Sequence, residues 1–275
     1  MFLLFLFIRL QKISLFGIIN NKGSDYMQRY FINDLESFID LSNNILIIKG
    51  DDAHHIINVM RMNIGEKIFA CYNNKTYICS IQSLSKNEVS LNIENEIIEN
   101  KELPCNVTIA HGLVRKEKME EVIDHITEMG ASFYLPVVMK RSNVKLNEEK
   151  KDKKLIRLNK IAKEAAEQSH RTKVLEVLPT TTFKEFIKNS KDYDLKLVAN
   201  VDLNNPLYIG DVIKDQTNIL VLIGPESGID DNELKQLKEN NFLMVSLGKR
   251  VLRTEVAPSY VMSIIDYLRG NNHEI

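Results

Sequence analysis

From Pro104 onward, short apolar runs alternate with helical patterns, and this alternation most constrains the fold. Runs at 107–110, 134–139, 174–177, 195–199, 219–223 and 244–246 read as buried strands. Between and after them, residues 116–129, 146–170, 182–187 and 255–269 carry helical spacing, with Gly130 placed as a C-terminal cap. Strands alternating with helices predict a mostly parallel α/β sheet covered on both faces. In such sheets ligands bind outside the carboxyl ends of strands. Two loops leave strands there: Gly224-Pro225-Glu226-Ser227-Gly228, and the segment from Leu247-Gly248 to Thr254-Glu255. Their glycines permit close backbone approach, so the pair reads as two walls of one pocket.

Residues 27–100 read differently. Apolar runs at 45–48, 67–72, 76–84 and 88–93 are broken by Asn73-Asn74 and Lys86-Asn87, and 52–62 is helical in spacing. Several short strands in about seventy residues predict a small β-barrel. The polar, acidic stretch 94–102 reads as a linker to a second domain at 104–275. Residues 1–26 are expected to lie outside the fold, with Met27 as the natural start; the competing reading is a weak targeting segment.

The net charge of −1 makes no claim on nucleic acid by itself. Residues 140–173, however, hold twelve Lys or Arg against five acids, and beside a barrel and a pocket this suggests phosphate-backbone binding. Arg29 and Arg61 are the barrel's candidates for RNA contact. Three cysteines without ligand spacing point to a reducing, cytoplasmic compartment. His54-His55 has no further ligand at metal spacing, so packing or capping is expected there and no metal. No G-x-G-x-x-G, Walker or H-E-x-x-H motif occurs, and Ser227 stands one place late for a nucleophile elbow.

An ordered set of stretches resembles the bacterial ribosomal RNA small subunit methyltransferase E family, of the SPOUT class. It comprises Met27–Phe31, His54-His55-Ile56, Asn58–Met62, Lys116–Glu120, Thr127–Gly130, Arg141-Ser142, Glu167-Gln168-Ser169, Gly224-Pro225-Glu226 and Arg250–Glu255. The resemblance implies a PUA-like RNA-binding barrel, a trefoil-knotted α/β domain, a homodimer, and S-adenosylmethionine as donor for methylation of uridine N3 in 16S rRNA. It places the donor against Ala199, Leu222, Ile223, Gly224, Pro225, Glu226, Leu247, Gly248, Leu252, Arg253 and Thr254, with Leu222, Leu247 and Leu252 sandwiching the adenine. Arg253, Arg171 and Glu255 (with Glu226 as a second base) are the catalytic candidates. Lys116, Arg141, Lys145 and Arg171 join Arg29 and Arg61 as RNA contacts, and 16S rRNA in the 30S subunit is the expected partner.

The chain departs from the family pattern at Asp124, His170, Ser227, Lys249 and Val256, where glutamine, glycine, glycine, proline and threonine are usual. Ser227 is expected to crowd a turn that wants positive φ. At this point a catalytically lapsed RNA-binding relative, a SPOUT enzyme with another RNA target, and an unrelated doubly wound enzyme all stay open.

Overall fold

The computed structural model describes residues 27–33, 37–144, 151–200 and 207–270. The expectations for residues 1–26 and for Lys145 fall outside these.

The first domain is a six-stranded sheet. Strands β1 (Arg29–Phe31), β2 (Ser37–Asp40), β3 (Ile45–Lys49), β4 (Lys67–Tyr72), β5 (Lys75–Leu84) and β6 (Glu88–Ile97) lie in the order β1-β4-β5-β6-β3-β2. Only the β1–β4 pairing is parallel. Alternate residues turn one face inward: Leu46 and Ile48 from β3, Ile68 and Ala70 from β4, and Val89 and Leu91 from β6 share one core with Tyr30 and Ile56. The expected helix at 52–62 is instead a short helix α1 (Gly50–His54) continued by a π turn (His55–Val59). Met60 N–H reaches back five residues to His55 O, and Arg61 ends the turn at φ 53°.

The second domain is a seven-stranded parallel sheet. Its elements are β7 (Asn106–Gly112), α2 (Lys116–Glu128), β8 (Phe133–Val138), α3 (Lys151–Gln168), β9 (Glu176–Val177), β10 (Thr181–Thr182), α4 (Phe183–Asn189), β11 (Leu195–Ala199), α5 (Ile209–Val212), β12 (Asn218–Ile223), α6 (Asp231–Glu239), β13 (Leu243–Val245) and α7 (Ala257–Arg269). The strand order is β10-β8-β7-β12-β11-β13, with β9 on β8. Period-2 alternation splits β12 between two cores. Ile219, Val221 and Ile223 face a cluster with Val122 and Ile126 of α2, Leu158 of α3 and Val261 of α7. Leu220 and Leu222 face the opposite cluster with Phe186 of α4 and Leu237 of α6. After β7 the chain moves outward through β8, then returns to lay β12 on β7's other side, so the crevice opens at the carboxyl ends of this central pair.

The stretch 94–102 is not a loose linker. β6 continues to Ile97, and the acids beyond it neutralise two buried guanidiniums. Glu99 Oε1 lies 2.6 Å from Arg29 Nη2, and Glu102 accepts from the Arg171 guanidinium and from the backbone N–H groups of Thr172 and Lys173. Arg29 Nη1 also donates to Arg171 O (3.1 Å), which stitches the two domains. Further ion pairs cross the seam from α3 to α1: Lys160 to Asp51 and Lys163 to Asp52.

Candidate active site

The Gly224–Gly228 loop begins where β12 ends. Gly224 is required by closeness: a Cβ there would meet Ile229 Cγ1 at 2.7 Å. β7 ends as tightly, since a Cβ on Gly112 would lie 2.5 Å from Pro225 Cδ. Gly228 N–H donates to Pro225 O (2.9 Å), closing a turn whose positive φ falls on Gly228 itself, at 74°. Ser227 is absent from the residues with positive φ, so it does not strain the turn as expected. Its hydroxyl instead accepts from Asn143 Nδ2 (3.3 Å).

The second wall follows β13. Ser246 Oγ accepts from Gly248 N–H (3.1 Å), and Gly248 adopts φ 115°, which side-chain-bearing residues avoid. Leu247 and Leu252 rest half-buried against the core beneath. Thr254 Oγ1 then donates to Gly224 O (2.7 Å), which joins the two loops directly. His111, wholly buried at the end of β7, lies 2.7 Å from the same hydroxyl through Nε2. Lys118, in the first turn of α2, bridges the two loops: its Nζ is 3.2 Å from Glu226 Oε1 and 3.1 Å from Glu255 Oε2. Burial pushes the Glu255 carboxyl up, but its own backbone N–H and the Lys118 ammonium outweigh this and hold it below its ordinary value.

The structure thus brings together Ile223 to Glu226, Leu247, Gly248 and Leu252 to Glu255. Ala199 ends β11, beside β12 and β13 in the same sheet. Three expectations change. Leu222 is 0% exposed on the opposite core face, so its side chain is unavailable to a base. Arg171 is 4% exposed, and its guanidinium is saturated by Glu102, Thr127 O and Ala131 O. It therefore touches neither a reacting atom nor RNA. Arg29, 3% exposed, is held by Glu99, Thr76 and Arg171 O, with Phe69 beneath it, and is likewise structural.

Arg61, Lys116 and Arg141 remain on the surface. Arg141 Nη1 reaches Ser227 O (3.5 Å) and so sits at the first loop. On α3, Arg157, Lys160 and Lys163 are engaged by Glu120, Asp51 and Asp52, so part of the basic stretch serves ion pairing. Arg253, Lys249 and Arg250 are exposed along the second loop, and Arg115 is exposed one residue before α2. Sequence reading missed roles for His111 and Lys118. Their signal was position, at or just beyond the carboxyl end of the central strand.

The donor set is backbone amides of two glycine turns, two leucines and one lysine-bridged carboxylate pair. Among the described residues no group of three or more His, Cys, Asp or Glu could hold a metal. Such an arrangement suits a flat nucleoside-like body better than a polyphosphate. The curled β-rich sheet and the parallel α/β sheet that follows it both match families of RNA methyltransferases. A family model described as an RNA methyltransferase domain matches residues 101–266, and one described as an RNA methyltransferase PUA domain matches residues 48–94. The chain belongs to the ribosomal RNA small subunit methyltransferase E family, with a PUA-like domain followed by a SPOUT domain. The Bacillus subtilis protein of that name is 38% identical over 89% of this chain and 100% of its own length. The Aquifex aeolicus protein of that name is 29% identical over 81% of this chain and 94% of its own. The crystal structure of the Neisseria gonorrhoeae protein of that name, bound to S-adenosyl methionine, is 28% identical over 88% of this chain and 98% of its own, with a TM-score of 0.79.

Proposed function

We infer that this protein transfers a methyl group from S-adenosylmethionine to 16S rRNA, at N3 of a uridine. The observation that carries the reading is the direct Thr254–Gly224 bond, which makes one cleft of two glycine turns at the carboxyl ends of β12 and β13. Backbone groups of 223–226, 247–248 and 252–254 would hold the donor, with Ala199 below and Leu247 and Leu252 against the adenine. The sulfonium supplies an activated methyl for in-line displacement without metal.

This chain's own residues must then ease loss of the uracil N3 proton. Glu255 is a weak base, because Lys118 and its own N–H stabilise the ionised form. Charge stabilisation on the uracil oxygens is therefore the larger contribution, and the exposed Arg253 guanidinium, a planar fork of donors, is the group assigned to it. Since N3 lies on the pairing edge, the target base must be unpaired or drawn from its stack. Arg61, Lys116 and Arg141 would hold flanking phosphates, within a homodimer acting on the 30S particle.

Transfer of labelled methyl to 30S particles and to bare 16S rRNA, followed by mass mapping, tests the reading. The expected product is N3-methyluridine at one site. Arg253→Ala should lower kcat about a hundredfold with the donor Kd little changed, and Arg253→Lys should recover only part. Label found on a sugar hydroxyl, or none at all with donor bound, would overturn the assignment.

A further inference from the structure

β7 alternates faces, so His111 follows Val107 and Ile109 into the core beneath α2. There it meets three oxygen-bearing groups in a line: Tyr134 OH lies 2.9 Å from Nδ1, Thr254 Oγ1 lies 2.7 Å from Nε2, and Gly224 O lies 2.7 Å beyond Thr254 Oγ1. A carbonyl only accepts, so the threonine hydroxyl donates to Gly224 O. That hydroxyl must then accept from His111, which places the ring hydrogen on Nε2. Nδ1 is left bare and accepts from Tyr134, whose burial raises its pKa and keeps the phenol protonated. Every polar hydrogen in the chain is assigned, with none left over.

We propose that His111 is a positioning residue: neutral, with its proton on Nε2, it fastens the Thr254 loop to the Gly224 loop and so holds the two walls of the donor site together. The inference rests on the reading of those loops as the S-adenosylmethionine site. His111 touches no reacting atom. It acts through the Thr254 hydroxyl, which without it keeps its acceptor, Gly224 O, but loses the donor that fixes its orientation. Gly112, the next residue, packs on Pro225 at a distance no Cβ would allow, so two consecutive residues at the end of β7 reach both loops, His111 the second and Gly112 the first. Burial keeps the ring neutral, with a pKa lowered to about 4. The charged groups facing it are Glu226 and Glu255, which favour protonation, and Lys118, which opposes it.

Calorimetric titration of the full chain with S-adenosylmethionine tests the proposal, with thermal melts confirming that each variant is folded. Thr254→Val removes the donor to Gly224 O at constant shape, and His111→Leu removes the donor to Thr254. Each is expected to weaken binding about tenfold. Because both break one line, the double variant should lose little more than the worse single. Thr254→Ser and His111→Gln keep the needed hydrogens and should stay within about threefold of wild type. Binding by wild type should be flat between pH 6.5 and 8. If His111→Leu does not fold, Thr254→Val decides together with Tyr134→Phe, expected to cost about threefold by releasing Nδ1. Folded Thr254→Val with wild-type affinity would overturn the proposal, as would losses that multiply to about a hundredfold in the double variant. Wild type that binds no donor at millimolar concentration would overturn the loop reading itself, whereas wild type that binds beside unaffected variants overturns only His111's role.

Discussion

A methyl group added at Gly224 would meet Ile229 Cγ1 at 2.7 Å, and Ile229 is 6% exposed, with little room to retreat. Gly224→Ala is therefore expected to destabilise by about 1–3 kcal/mol through overpacking. The cost should shrink in an Ile229→Ala background, where the clashing atom is gone, and denaturant melts of the double-mutant cycle would read it. Equal costs in both backgrounds would place the strain elsewhere. Residue-scale reading from sequence was uneven here. It saw that Gly224 and Gly248 were needed, because glycine itself is the signal. It misplaced the strain of the turn on Ser227, since positive φ belongs to Gly228. The glycine usual at His170 has a visible reason: His170 has φ 55° at the end of α3, and its ring meets Phe69 edge-on at 6.5 Å. Arg29 and Arg171 misled because an arginine in sequence carries no sign of its counter-ion. The acids that bury them, Glu99 and Glu102, lie 70 and 69 residues away in the chain.

At the scale of elements, the turns were the most legible. Asn73-Asn74 joins β4 to β5 with both residues at positive φ, 48° and 59°, the two-residue hairpin that the asparagine pair announces. Glycine meets no Cβ penalty at such a position, so Asn74→Gly should stabilise the first domain by about 0.5 kcal/mol, seen as a raised unfolding midpoint. A lowered midpoint would show that the Asn74 side chain contributes more than its backbone strain costs. Helix ends were legible where caps are explicit: the α4 capping box uses Thr182 and Glu185, and Gly130 follows α2 at φ 89°. Elsewhere the periodicity overran. The span 52–62 keeps helical spacing, yet the chain widens to a π turn and stops at Arg61. Leu222 shows the matching limit in strands. Alternation says that neighbouring residues part to opposite faces, and only the sheet's surroundings say which face meets the ligand.

The seam between the domains was not legible, because its sides are drawn from segments that read as a linker, a helix of the first domain and a basic stretch for phosphate binding. At its centre Glu167 accepts from Phe31 N–H (3.1 Å), with Lys163 Nζ 3.7 Å away and itself shared with Asp52. Burial pushes the Glu167 carboxyl from 4.5 up to about 7, against the pull of Lys163 and the Phe31 N–H. Between those values the folded chain holds a proton that the unfolded chain has released. Glu167's contribution to stability is therefore full below about 4.5 and is lost as pH rises through about 7. His111 runs the other way. Its pKa falls from 6.5 to about 4, so its contribution is present above about 6.5 and is lost as pH falls through about 4. Across pH 4.5 to 6.5 the two slopes oppose each other, and the wild-type dependence on pH is flattened. Glu167→Gln retains an acceptor for Phe31 N–H and removes the titrating carboxyl, together with its pairing to Lys163. The stability of this variant minus that of wild type should climb by on the order of 2 kcal/mol from pH 4.5 to 7.5. Taking that difference cancels the titrating groups that do not face Glu167, so urea melts at four or five pH values report on Glu167 and its immediate partners Lys163 and Asp52. A difference that stays level across the range would mean that water reaches Glu167 and that the two domains part there more readily than the packing implies.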